Sequence, residues 1–139
     1  MDADLREVVA RWLPGVRVDS VEPLTGGDVN AVYRVDAGAG TYALRVYAAE
    51  TSAEMVMWEH TLLGRISGVV PEVVAPLMTS DGATFVERDA RAVSLWPFVE
   101  GRRLDRLIGD DRLAAARMLG RLHAALGDLD GIEARPGYL

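Results

Sequence analysis

Tyr42-Ala43-Leu44-Arg45-Val46, with Glu59 downstream, decides how this chain is read. As a strand the stretch alternates. Tyr42, Leu44 and Val46 point one way, and Ala43, Arg45 and Tyr47 point the other. One face is therefore apolar, while the other sets a small residue beside a guanidinium. The following segment winds as a helix at about 100° per residue, which gathers Met55, Val56, Leu62, Leu63 and Ile66 into one stripe. Glu59 falls in the middle of that stripe. A carboxylate on an inward face is costly unless a partner meets it, and Arg45 is the available cation. His60, beside it, is expected to face away as an ordinary helix residue. Met57 and Trp58 fall on the outer side, where the N-terminal helix could meet them.

Upstream, Thr25-Gly26-Gly27-Asp28-Val29-Asn30 separates two strands expected at residues 16–24 and 31–36. Without side chains, Gly26 and Gly27 let backbone N–H groups approach a phosphate, and Asn30 suits a local loop hydrogen bond. The same residues also make a plain hairpin turn. Gly38-Ala39-Gly40 forms a second tip before the strand at residues 41–47. Leu5, Val8, Val9 and Trp12 recur at helical spacing ahead of Pro14-Gly15. Thr51-Ser52-Ala53-Glu54 fits a capping box with Thr51 at the cap, and the helix should stop at Gly68. Residues 83–88 and 92–96 read as a hairpin that closes the sheet, and Pro97, lacking an N–H, ends its ladder. Asp110 and Asp111 are expected to cap a last helix over residues 113–126, with Ala115, Leu119, Leu122 and Leu126 as its apolar stripe.

Composition narrows the chemistry. The chain has 139 residues, half of them apolar, and a formal charge of −6. An acidic surface argues against nucleic-acid and anionic-membrane partners. There is no cysteine, which removes disulfides, zinc–thiolate sites and cysteine nucleophiles. There is no lysine either: all 15 basic residues are arginine, so Schiff-base and lysine-base chemistry are absent. Arginine keeps its charge and can fork onto carboxylate or phosphate. The acidic N-terminus has no signal pattern, and no apolar run approaches the ~20 residues of a membrane span. A cytoplasmic location is expected.

Tyr42-Ala43-Leu44-Arg45 resembles the V-A-I-K strand of the protein-kinase fold, with Glu59 as its ion-pair partner. The turn is not the kinase G-x-G-x-x-G. Residues 24–35, Leu-Thr-Gly-Gly-Asp-Val-Asn-Ala-Val-Tyr-Arg-Val, and Leu95-Trp96-Pro97-Phe98-Val99-Glu100-Gly101 resemble instead the aminoglycoside phosphotransferase and choline/homoserine kinase-like family. The resemblance implies an α+β fold: a kinase-like N-terminal lobe with a mostly antiparallel, about five-stranded sheet and one packed helix. It divides the chain into a nucleotide-binding lobe at 1–97, a hinge at 98–103 and the start of a truncated helical lobe at 104–139. It implies ATP and magnesium as cofactors, with the magnesium ligands beyond this chain. Gly26, Gly27, Asp28, Val29, Asn30, Arg45 and Glu59 would form the phosphate end of the site. Ala43 would leave room for the purine. The Pro97 carbonyl and the Val99 N–H, flanking Phe98, would read the adenine edge.

The family's His-Gly-Asp-x-x-x-x-Asn base motif and its later magnesium-binding Asp do not occur here. The chain alone is thus expected to lack turnover, with no catalytic or metal-ligating residue of its own. Two readings follow. One is the ATP-binding lobe of a phosphotransferase acting on a hydroxyl of a small molecule such as an aminoglycoside or a metabolite. The other is a stand-alone nucleotide-sensing or protein-interaction module. The last helix, needing a cover for its leucines, suggests a possible homodimer.

Overall fold

The computed structural model describes residues 2–26, 29–38 and 40–137, with the side chains of Asp2 and Ala3 left aside. Helix α1 spans Asp2–Val9, followed by strands β1 (Val18–Leu24), β2 (Ala31–Ala37) and β3 (Gly40–Val46). Helix α2 (Ala53–Ser67), strands β4 (Val86–Arg88) and β5 (Arg91–Pro97), and helix α3 (Gly109–Gly127) complete the order. The five strands form one sheet in the order β1-β2-β3-β5-β4, and every neighbouring pair is antiparallel.

Alternation along β3 assigns the two faces of the sheet. Leu44 pairs with Tyr33 and Leu95, and Val46 with Val93. These residues meet Val9, Trp12, Val21 and Val35 in the main core, so α1 packs on this face. The opposite face carries Arg45 opposite Val32 and Ser94, and Ala43 opposite Arg34 and Trp96. There Tyr47, Ala92 and Phe85 pack with Val56 of α2. Helices α1 and α2 therefore pack on opposite faces of the sheet. Trp58 meets the C-terminal stretch: its indole N–H donates to the Glu133 carbonyl at 2.8 Å.

Local signals hold with one shift of register. Ser52, not Thr51, caps α2, its hydroxyl accepting from the Met55 N–H at 3.2 Å. Ser52 is extended (φ −69°, ψ 152°), as a cap must be. The ladder of β5 stops at Pro97, its last partner being Tyr42.

The last helix differs more. Asp110 and Asp111 both lie inside the first turn of α3, whose cap position is Ile108, so neither caps it, and Asp111 has other partners. It is buried, accepts two bonds from Arg102 (2.6 and 2.8 Å) and one from the Asp105 N–H (2.7 Å). The packed face of α3 is Met118, Leu122 and Ala125, which meet Ile66, Val70 and Val73. Of the expected stripe, only Leu122 lies on it, while Ala115, Leu119 and Leu126 are exposed. Among the described residues no helix is long and apolar enough to cross a membrane.

Candidate functional site

Ala43, Arg45, Pro97 and Val99 line one cavity of about 350 Å³, together with Val32, Leu63, Val74 and Trp96. The register explains the grouping. Val32, Ala43 and Trp96 share one face of adjacent strands, and Pro97 and Val99 follow directly as β5 leaves the sheet. The walls are apolar, and Arg45 supplies the charge. Pro97 contributes no N–H, which leaves the outgoing backbone free of the ladder.

Arg45 is held from two sides. Its Nη1 donates to Glu59 Oε1 at 3.2 Å, and its guanidinium lies 4.5 Å above the Trp96 ring. The pair is part-exposed, with side chains 33% and 37% accessible, not enclosed. An ion pair of that exposure is worth ~1 kcal/mol or less. Tyr47 adds a second donor to the same Oε1 at 3.1 Å.

His60 overturns its expected role. It is buried at 3% exposure, with Nε2 2.9 Å from Tyr47 Oη and Nδ1 2.8 Å from Thr84 Oγ1. Burial first, then the Arg45 charge, pushes its imidazole down to about 4. Burial and the Glu59 carboxylate push the Tyr47 phenol up to about 12.

Gly26 has φ +106°, a conformation open to glycine, and its carbonyl accepts from Arg103 at 3.1 Å. Gly27 and Asp28 lie outside the described residues. Asn30 reaches beyond the loop. Its Oδ1 accepts from the Ala48 N–H at 3.0 Å, tying the end of the turn to the chain just past β3. Val29, exposed, shares a second hollow of about 310 Å³ with Asn30, Tyr47, Glu59 and Arg135. Phe98 does not line the main cavity; the Arg34 guanidinium stacks over its ring at 4.9 Å. Arg34 in turn bonds Asp36, whose carboxyl is held below its ordinary range by Arg34, Thr41 and Ser20.

Sequence reasoning missed Trp96, Val32, Leu63 and Val74. Trp96 was within reach, since it precedes Pro97 and alternation puts it on the Ala43 face. Among the described residues no group of three His, Asp or Glu side chains could hold a metal ion.

The model of the phosphotransferase enzyme family matches residues 20–138. The chain belongs to that family. No curated protein matches it. Among solved structures it is similar to a spectinomycin phosphotransferase in complex with ADP and spectinomycin. The identity there is 17% and the TM-score 0.69, covering 90% of this chain. It is similar also to the AMP-bound complex of spectinomycin phosphotransferase, at 15% identity, a TM-score of 0.65 and the same coverage. At such identities the likeness speaks for the fold. The chain spans 38% of the length of these solved phosphotransferases.

Proposed function

We propose that this chain forms the ATP-binding part of a cytoplasmic phosphotransferase that acts on a hydroxyl group of a small molecule. The observation that carries the reading is the cavity in which Ala43, Pro97 and Val99 meet Arg45. Apolar walls with one fixed cation suit a planar base that carries phosphates. The family membership supports phosphoryl transfer, and the adenine nucleotides of the spectinomycin phosphotransferase complexes support adenine.

In this reading the purine lies against Ala43, with its edge at the Pro97 carbonyl and the Val99 N–H beside Phe98. Its phosphates lie toward Arg45 and the turn from Gly26 and Gly27 to Asn30. Magnesium arrives with the triphosphate and finds its protein ligands elsewhere in a longer protein. The described residues bind and orient. Arg45 cannot serve as a base, because its guanidinium carries only donors and no acceptor to take up a proton. The acceptor belongs to the same class of small hydroxyl compounds as aminoglycosides and metabolites. A second copy of the chain is proposed as the cover for α3.

Titration of the chain with magnesium ATP, followed by backbone amide shifts, tests the site. Shifts are expected at Gly26, Ala43, Arg45 and Val99, and Arg45→Met should weaken ATP about tenfold, or ~1.4 kcal/mol. Shifts confined to other segments, or none at millimolar nucleotide, would refute it.

A further inference from the structure

Four side chains behind Arg45 form a chain of hydrogen bonds whose protons can be assigned by elimination. Glu59, as a carboxylate, can only accept. Tyr47 has one proton and gives it to Glu59 Oε1 at 3.1 Å. Tyr47 Oη can then only accept from His60, 2.9 Å away, so the imidazole proton sits on Nε2. A neutral imidazole has one N–H, which leaves Nδ1 bare to accept from the Thr84 hydroxyl at 2.8 Å. Every donor along Thr84, His60, Tyr47 and Glu59 therefore points the same way, toward the carboxylate that Arg45 also binds.

His60 supports the other restraint on Arg45 as well. Its ring meets Trp96 edge-on at 5.4 Å between centroids, and Phe85 flanks it at 5.9 Å. The Trp96 indole is fixed by its N–H on the buried Ser94 hydroxyl at 2.7 Å. Arg45 rests on that same Trp96 ring. The contacts of the guanidinium with Glu59 and Trp96, and its place over the Tyr47 ring at 5.7 Å, thus all trace back to one buried imidazole. A part-exposed arginine–glutamate pair alone leaves two long side chains free to wander. Anchoring one carboxylate oxygen to a buried phenol removes that freedom before any ligand arrives.

We propose that His60, as its neutral Nε2–H tautomer, is a positioning residue for Arg45, acting through Tyr47 on Glu59 and through the Trp96 ring. Its chemical target is the phosphate group of a nucleotide, and in this the inference rests on the proposed function. The imidazole, lowered to about 4, stays neutral at pH 7. The charged group acting on it is Arg45, with Glu59 one hydrogen bond further on through Tyr47, and Tyr47 and Thr84 are its polar partners.

The tautomer is read directly from a long-range ¹H–¹⁵N spectrum of the unaltered chain. A protonated Nε2 and a bare Nδ1 are expected, and the opposite tautomer overturns the inference. Tyr47→Phe keeps the ring and removes only the relay oxygen. In that variant the Arg45 Nε–Hε order parameter should fall; an unchanged value overturns the proposal. Affinity for magnesium ATP should fall several-fold in Tyr47→Phe, while affinity for adenosine, which has no phosphate, stays at the parent value. Equal losses for both ligands would mean general damage and also overturn it. His60→Gln, whose amide can still donate to Tyr47, should retain more ATP affinity than His60→Leu. If the parent binds neither ligand, the proposed function falls. The tautomer and the Arg45 order parameter still decide the inference on their own.

Discussion

Leu44 and Leu119 are the same side chain in opposite surroundings. Leu44, in the central strand β3, has no exposed surface, while Leu119, on α3, keeps 53% of its own. The contrast extends to their regions. The sheet is covered on one face by α1 and on the other by α2, and its core is closed by residues of this chain. Beyond Pro97 the apolar residues Leu104, Leu107, Ile108, Leu113 and Leu126 stay exposed, and α3 is held by one narrow face at the end of α2. A sheet with both faces covered is a complete hydrophobic unit. A helix with one of two apolar edges covered is not.

The largest expected effect tests that contrast directly. Leu44→Ala should cost about 2–5 kcal/mol, because the surrounding strands cannot collapse onto the gap. Leu119→Ala should stay within ~0.5 kcal/mol. Denaturant midpoints of the two variants, at unchanged slope, measure the difference. Equal shifts would mean that α3 is covered as fully as the sheet.

Acid should separate the two regions next. Behind the sheet, the His60 imidazole is lowered from 6.5 to about 4. The unfolded chain binds the proton more tightly, so stability is fully present above pH 6.5 and is lost as the pH falls toward 4. That loss amounts to about 3 kcal/mol. Past Pro97, Asp111 is lowered from 3.8 to about 2, chiefly by its bonds from Arg102 and then by the Asp105 N–H. Its contribution persists above pH 3.8 and is lost as pH falls through about 2. Urea unfolding between pH 7 and pH 4 should therefore weaken in the parent and flatten in His60→Gln. Asp111→Asn should leave that window unchanged. A parent curve flat down to pH 4 would place His60 in a more solvated setting.

The two regions also differ in how much the sequence disclosed. Alternation in Tyr42-Ala43-Leu44-Arg45-Val46 gave the faces of β3, and Pro97 gave the end of β5, because both depend on neighbours in sequence. Glu59 was legible as the partner of Arg45 for the same reason, since the periods of strand and helix brought them together. His60 was not. The buried face of α2 is rotated toward Val56 and His60 by Tyr47, Phe85 and Trp96, which come from three other segments. Helical period alone cannot place that rotation. The same holds for α3, where two apolar edges overlap at Leu122. Val70 and Val73, distant in sequence, decide that Met118 and Ala125 are covered and Leu119 is not.

The smallest effect on the stability of a single chain, and the one that bears most on the open region, concerns association. Leu119 and Leu126 are two turns apart, on the edge of α3 beside its packed face, with exposed Ala115 continuing the line. Each leucine gains roughly 1.5–3 kcal/mol on full burial, so a copy that covers both has a real driving force. Like faces meeting across a two-fold axis would bury the same residues on each chain and close the assembly at two. Sedimentation velocity over a range of concentrations should show the mass rising toward a dimer. Leu119→Glu with Leu126→Glu should return the monomer while leaving its denaturant midpoint nearly unchanged, because neither side chain touches the sheet core. A parent that stays monomeric at every concentration would sink the dimer. The α3 edge would then be a surface this chain leaves open to water or to another protein segment, and the difference between Leu44 and Leu119 would be permanent.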